Sequence, residues 1–228
     1  MTNPLTRIPF LIYTVLTAAA IAALMMGGDE RLARLLRPER DTPVVEFFAS
    51  ITDFASGFLW YSVALTGLAV AVIRNQSQQL PLSAAAFAAR KRAWIFMIVA
   101  MATSGIAGVA LKFAIGRDRP RFLFEDAGAT FHPFRINTAD SSFPSGHAQS
   151  ICSAMLALAL IYPPLRPVFL VAAVLITASR VIVGAHYASD VLGGVWLAVA
   201  AVLYWRYRFE INGEKLDLTL ARARSPET

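Results

Sequence analysis

The sequence holds a single cysteine, Cys152, in 228 residues, which excludes an internal disulfide and a cysteine-based metal cluster. Cys152 lies inside an apolar run and reads as a packed, inert thiol. Charge is scarce as well: Asp, Glu, Lys and Arg make up 16% of the chain, against 57% for the hydrophobic types. There is no internal repeat and no low-complexity tract. The net charge is +6, yet the basic residues fall in short loops, at the ends of apolar runs and in the tail. That scatter lacks the basic face of a nucleic-acid binder, and anionic lipid headgroups are the expected counterpart. The mean hydropathy of +0.55 exceeds that of soluble globular domains. Several apolar runs approach the ~20 residues that cross a bilayer as a helix. The expectation is an all-α polytopic membrane protein, a six-transmembrane-helix bundle with short interfacial helices. One domain covers residues 1–228, with a soluble tail over 206–228.

Taken in order, the runs Ile8–Gly28, Phe54–Ile73, Ala93–Ile115, Ser145–Pro163, Val168–Val183 and Ala188–Tyr204 read as the six spans. The first is long for the apolar part of a signal peptide and reads as an uncleaved span. Between the first two spans, Asp29–Pro43 and the run around Val44–Ile51 have amphipathic patterns of helices lying in the interface. Two readings stand for them: a frame for lateral lipid entry, or a plain cover over the bundle. The basic cluster Arg90, Lys91 and Arg92 marks its side as cytoplasmic. With both termini inside, Lys and Arg number 11 inside and 10 elsewhere. Setting aside Lys112, Arg119 and Arg180 as candidate site residues leaves a modest inside preference. Gly116–Phe143 is a long polar loop, of the kind that tends to be functional in compact proteins.

Three stretches carry chemistry, and in either orientation they fall on one membrane face. In the first, Lys112 and Arg119 are seven residues apart, two turns along one helical face, with Pro120 placed to end the helix. Two cations reaching one point make an oxyanion clamp, and Arg119 can bind a phosphate bidentately. Taken alone, the pair also fits snorkelling anchors at a span end. The second stretch is Pro144-Ser145-Gly146-His147, where the loop becomes a span. Ser145 is placed as an N-cap, Gly146 lets backbone N–H groups approach a ligand, and a helix N-terminus attracts phosphate oxygens. In the third, Ser179-Arg180 is followed by His186 and then Asp190. On a helix the imidazole and carboxylate share a face, so the carboxylate can fix the ring's tautomer.

Together these stretches, Lys-(six)-Arg-Pro, Pro-Ser-Gly-His and Ser-Arg-(five)-His-(three)-Asp, resemble the tripartite signature of the type-2 phosphatidic acid phosphatase superfamily. That superfamily includes membrane lipid phosphatases, soluble acid phosphatases and vanadium haloperoxidases. The resemblance runs by motif from Lys112 to Asp190, with every fixed position met. It implies that His186 attacks phosphorus, that Asp190 holds its ring, and that His147 protonates the leaving oxygen and then activates water. By the same resemblance Lys112, Arg119, Ser145, Gly146 and Arg180 bind the phosphoryl oxygens, and neither a metal nor a cofactor takes part. Three fixed cations suit phosphoryl transfer, which depends on positioning and charge neutralisation. His186 must be neutral and His147 charged, which gives a bell-shaped pH profile. His132, outside the motifs, reads as a surface or lid residue. Arg117, Arg121 and Arg135 are open to a headgroup or to solvent.

The sequence therefore points to an integral membrane enzyme hydrolysing a phosphate or pyrophosphate ester of a lipid. Isoprenyl pyrophosphate carriers, phosphatidylglycerophosphate and phosphatidic acid are the first expected substrates. Lipid A phosphate is the alternative, placed second because some members with that role depart from the Pro-Ser-Gly-His stretch kept here. The expected partners are the lipid substrate and the bilayer, with no nucleic acid and no obligatory protein. The expected location is a bacterial inner membrane, with the site at the periplasmic face. A vanadate-dependent haloperoxidase and a non-catalytic lipid-phosphate transporter are the rival readings.

Overall fold

A computed structural model of the chain describes residues 4–37, 42–76, 83–124, 130–213 and 216–218. Among them, eight α-helices carry the architecture: α1 Pro4–Ala23, α2 Asp29–Leu36, α3 Pro43–Thr52, α4 Gly57–Gln76, α5 Ala84–Ile115, α6 Gly146–Ile161, α7 Arg166–Ile182 and α8 Ala188–Ile211. Extended pairing among the described residues is limited to two isolated bridges, Arg117 with Phe131 and Asp118 with Ser141.

The helices begin and end where local chemistry dictates. Ser83 caps α5 by accepting the Ala86 N–H at 3.2 Å, which satisfies one of the free amides of a first turn. Helix α5 therefore starts nine residues earlier than the hydropathy suggests, and Arg90, Lys91 and Arg92 sit on the helix rather than before it. Likewise α8 runs on to Ile211, past Arg206 and Arg208, so the tail begins later than expected. The rest of that tail, with Lys215, Arg222 and Arg224, lies outside the described residues apart from 216–218. The two amphipathic stretches are helical, as α2 and α3. Helix α3 packs on α7, and α2 packs beside the turn at Pro120–Phe124.

Among the described residues, five helical segments are long and apolar enough to cross a bilayer: Ile8–Leu36 (with a break at Gly27, φ 130°), Gly57–Gln76, Ala84–Ile115, Pro163–Ile182 and Ala188–Ile211. The expected fourth span, α6, has 16 residues, which at 1.5 Å each reach about 24 Å, short of a ~30 Å hydrocarbon core. Its position explains this: α6 is the central helix, packed against α4, α5, α7 and α8, and 11 of its residues are buried. A helix surrounded by protein has no need to match lipid thickness along its length.

Helices α5, α6 and α8 meet through small residues, with Ala93, Ala100, Ala154, Ala157 and Ala198 all fully buried. Close backbone approach of this kind drives helix association where lipid removes the hydrophobic incentive. A polar network joins α5 to α6: Gln149 Nε2 donates to Ser104 Oγ at 2.6 Å, and Ser104 pairs with Ser153 at 2.9 Å. Outward, α1 presents Ile8, Leu11, Ile12, Val15 and Leu16, and α7 presents Val168, Val171 and Val174, all more than half exposed. Apolar stripes of that extent on separate helices are lipid-facing surface. The chain is an integral membrane protein of all-helical fold.

Candidate active site

The three signature stretches converge at one end of α5, α6 and α8. Helix α5 ends at Ile115 because Gly116 adopts a left-handed conformation (φ 58°); a Cβ there would stand 1.8 Å from the His132 carbonyl oxygen. Lys112 therefore projects from the last helical turn, whereas Arg119 lies beyond it, in the bridged loop. The expected shared helical face does not exist. The loop returns Arg119 to within electrostatic reach of Lys112 by tertiary folding instead. Lys112 Nζ donates to the carbonyls of Ser141 and Ser142 at 2.5 and 3.5 Å, fastening the loop to α5.

Ser145 is the N-cap of α6, accepting the Ala148 N–H at 3.4 Å, and Gly146 is the first helical residue. The backbone N–H of Ser145 donates to the Asp190 carbonyl at 2.9 Å, which ties the start of α6 to the start of α8. The two helices touch so closely at Gly194 that a Cβ would lie 2.4 Å from the Ser145 oxygen. A Cβ at Gly146 would stand 4.0 Å from Lys112 Cε, so the lysine stem passes the free amides at the head of α6.

Helix α7 ends at Ile182, and residues 183–187 turn before α8 starts at Ala188. His186 and Asp190 thus do not share a helix either. The backbone N–H groups of Ala185 and His186 both donate to the Arg180 carbonyl, at 3.1 and 3.0 Å, and fold the turn back on α7. Asp190, at the third position of α8, accepts the Tyr187 N–H at 2.8 Å and so ties the turn to the first turn of the helix. His186 is 2% exposed and Asp190 is fully buried.

The ring nitrogen Nδ1 of His186 lies 3.7 Å from Asp190 Oδ2, too far for a direct hydrogen bond. Ser142 closes the gap: its hydroxyl lies 3.3 Å from Nδ1 and donates to Oδ2 through a short hydrogen bond. An Nδ1–H facing this pair leaves the Nε2 lone pair free to attack. Burial pushes the imidazole down to about 4, with Asp190 opposing and the Arg119 and Lys112 charges reinforcing the shift. The ring is neutral at neutral pH.

His147, at the start of α6, is pushed down to about 4 by burial and then by the charges of Arg180, His186, Arg119 and Lys112. The protein alone therefore does not favour the charged form expected of it, and an anion held among those cations would have to restore the proton. Arg180 is buried and donates to the Thr52 hydroxyl at 2.5 Å. Among the described residues, Nε of Arg119 and Nε of Arg180 are buried without a hydrogen-bond partner. Burial and then the nearby Arg121 draw the Arg119 guanidinium below its ordinary value, while Asp140 and Asp190 partly offset them. Guanidinium groups left short of acceptors beside a lysine and a helix N-terminus make an anion cradle. From it a cavity of about 340 Å3 opens past Lys112, Gly146 and His147 along Gly57, Gly105, Gly108 and Val109.

The other polar residues of the loop hold it in shape. Asp118 accepts from Arg135 at 2.9 Å and from Thr130, with His132 Nε2 at 3.1 Å. Arg121 pairs with Asp140. Arg117 is 3% exposed and engaged by Asp29 and Asp190, so it is not available to a headgroup. Ser142, Asp29 and Thr52 are site residues that sequence reasoning misses, and Arg117, which it leaves open to a headgroup or to solvent, is a buried ion-pair partner instead. Ser142 alone had a signal, two residues before Pro144.

Fold and site together define a class: an integral membrane protein of helices, with an anion cradle holding two histidines at one end of its bundle. The chain belongs to the PAP2 superfamily, whose family model matches residues 93–213. It is 38% identical over 150 residues to a lipid A 1-phosphatase of Rhizobium johnstonii, covering 65% of this chain and 55% of that one. It is 37% identical over 120 residues to the lipid A 1-phosphatase of Rhizobium etli, covering 50% and 52%. An undecaprenyl-diphosphatase of Sulfolobus acidocaldarius is 27% identical over 128 residues, covering 56% and 60%. The chain thus spans little more than half the length of the curated relatives it matches. The fold is similar to that of the PAP2-type phosphatidylglycerolphosphate phosphatase of Bacillus subtilis, with a TM-score of 0.63 at 21% identity over 90% of this chain and 96% of that one. It is also similar to Aquifex aeolicus LpxE, with a TM-score of 0.56 at 20% identity over 78% and 94%.

Proposed function

We propose that the protein hydrolyses a phosphate or pyrophosphate ester of a membrane lipid through a phosphohistidine on His186. The observation that carries this reading is the pairing of a buried, neutral imidazole with two buried guanidinium Nε groups that lack acceptors. Nε2 of His186 forms a bond to phosphorus as the bond to the leaving oxygen breaks. His147 gives that oxygen its proton. A water then passes its proton to His147, attacks phosphorus and breaks the P–N bond, which releases phosphate. Lys112, Arg119, Arg180 and the amides at Ser145 and Gly146 hold the charge that builds on the phosphoryl oxygens. The cavity beside His147 takes the start of the lipid chain.

In this reading α6, fourth in chain order, also counts as a span and brings the total to six, residues 1–228 form one domain, and the site opens on the periplasmic face of an inner membrane. Among substrates, the two rhizobial relatives favour the 1-phosphate of lipid A as a second reading beside carrier-lipid and glycerophospholipid phosphates. Phosphate release from a panel of these lipids, with chelator present, tests the proposal on wild type, His186→Ala and His147→Ala. One lipid class should be preferred and both variants inactive. Full activity in His186→Ala, or loss of wild-type activity to chelator, would overturn it.

A further inference from the structure

Behind the nucleophile, three buried charges are linked by contact. Asp29 is 2% exposed, Arg117 3% and Asp190 0%. Arg117 donates from one terminal nitrogen to Asp29 Oδ2 at 2.8 Å and from the other to Asp190 Oδ1 at 2.8 Å and Ser189 Oγ at 2.6 Å. Its guanidinium carbon lies 4.2 Å from the centre of the Tyr187 ring. Asp29 also accepts the Ser189 backbone N–H at 3.1 Å and the Ser189 hydroxyl, so it caps α8 from the far end of the chain.

A guanidinium given wholly to Asp190 would cancel the negative charge that faces His186. Asp29 takes a share of that guanidinium, and the three groups together carry one negative charge. This matters at the moment of attack. As the Nε2–phosphorus bond forms and the leaving oxygen departs with the His147 proton, the ring becomes cationic, its Nδ1 proton directed at Ser142 and Asp190. Buried charges interact strongly, because little water screens them.

Resting on the phosphohistidine reading above, we propose that Asp29 is a positioning residue for this reaction. It holds Arg117 against Asp190 and, by sharing its charge, preserves one net negative charge behind His186. A purely architectural bridge from α2 through Arg117 to α8 would make no such distinction between charge states.

The test uses the full chain in detergent micelles with a short-chain lipid phosphate, fitting kcat and KM separately. Asp29→Asn keeps the side chain's shape and removes its charge; kcat should fall roughly tenfold, the effect of about one unit of pKa on the ring, with KM unchanged. The double variant Asp29→Asn with Arg117→Gln again leaves one buried negative charge, and its kcat should rise above that of Asp29→Asn. A double variant at or below the single one, or an Asp29→Asn protein with wild-type kcat, overturns the inference. If Asp29→Asn does not yield monodisperse protein, Asp29→Glu decides: near wild-type kcat supports the charge role, and a tenfold loss refutes it. His186→Ala run in parallel separates the two claims. Activity there defeats the phosphohistidine, whereas an inactive His186→Ala beside an unaffected Asp29→Asn defeats only the role of Asp29.

Discussion

Replacing Ser142 by alanine removes the hydroxyl between His186 and Asp190 and leaves the anion cradle intact. That hydroxyl is fully buried, 3.3 Å from Nδ1 and hydrogen-bonded to Asp190 Oδ2. Without it the ring faces a carboxylate oxygen 3.7 Å away, outside hydrogen-bonding range, and its orientation is no longer fixed. A hydrogen bond to a charged group contributes about 1.5–3 kcal/mol. Each ~1.4 kcal/mol added to a barrier is tenfold in rate. Because the bond matters most when the ring turns cationic, the loss should appear in kcat, as a fall of roughly 10- to 100-fold. KM should hold, since Ser142 serves the imidazole rather than the phosphate. Steady-state phosphate release from a short-chain lipid phosphate separates the two constants. A kcat within about threefold of wild type, or a loss confined to KM, would refute the relay.

The remaining predictions concern packing, pH, the cavity and the cradle. Gly194→Ala should destabilise the protein by about 1–3 kcal/mol and reduce activity, because its Cβ would meet backbone at Ser145 and Gln149; a thermal unfolding midpoint in detergent checks this. The low value for His186 places the acid limb of the proposed nucleophile below pH ~5, so a kcat/KM that drops as the pH is lowered from about 7 to about 6 would contradict it. The same shift lowers stability as pH falls from about 6.5 to about 4, since the unfolded chain binds a proton that the buried ring refuses. Gly105→Leu should fill the cavity wall, cutting kcat/KM for long-chain lipid phosphates by roughly tenfold while sparing short-chain esters. Thr52→Val should release Arg180 from its 2.5 Å hydrogen bond and weaken phosphate-analogue binding, measured as a raised inhibition constant for vanadate.

Sequence alone carried the residues of the cradle but not the geometry that unites them. Lys112, Arg119, His147, Arg180, His186 and Asp190 do converge, yet helical spacing is not the reason. Gly116 stops α5 before Arg119, and the turn at 183–187 separates His186 from α8. The motif spacings thus describe loop lengths, which no periodicity argument can decode. Asp29 lies 160 residues from Ser189 and Thr52 lies 128 from Arg180, so tertiary packing alone brings them to the site. Hydropathy located most of the spans. It misjudged where α5 begins and α8 ends, because a Ser83 cap and continued helical hydrogen bonding extend both helices through basic residues.

The most direct measurement follows label from substrate to protein within one turnover. Wild type mixed with a lipid carrying radioactive phosphate, then quenched in alkaline denaturant where a phosphoramidate survives, should carry label on His186. His186→Ala should carry none, and His147→Ala should lose label slowly if it acquires any. Wild-type turnover with no labelled protein at times shorter than one cycle, or label persisting in His186→Ala, would contradict the account.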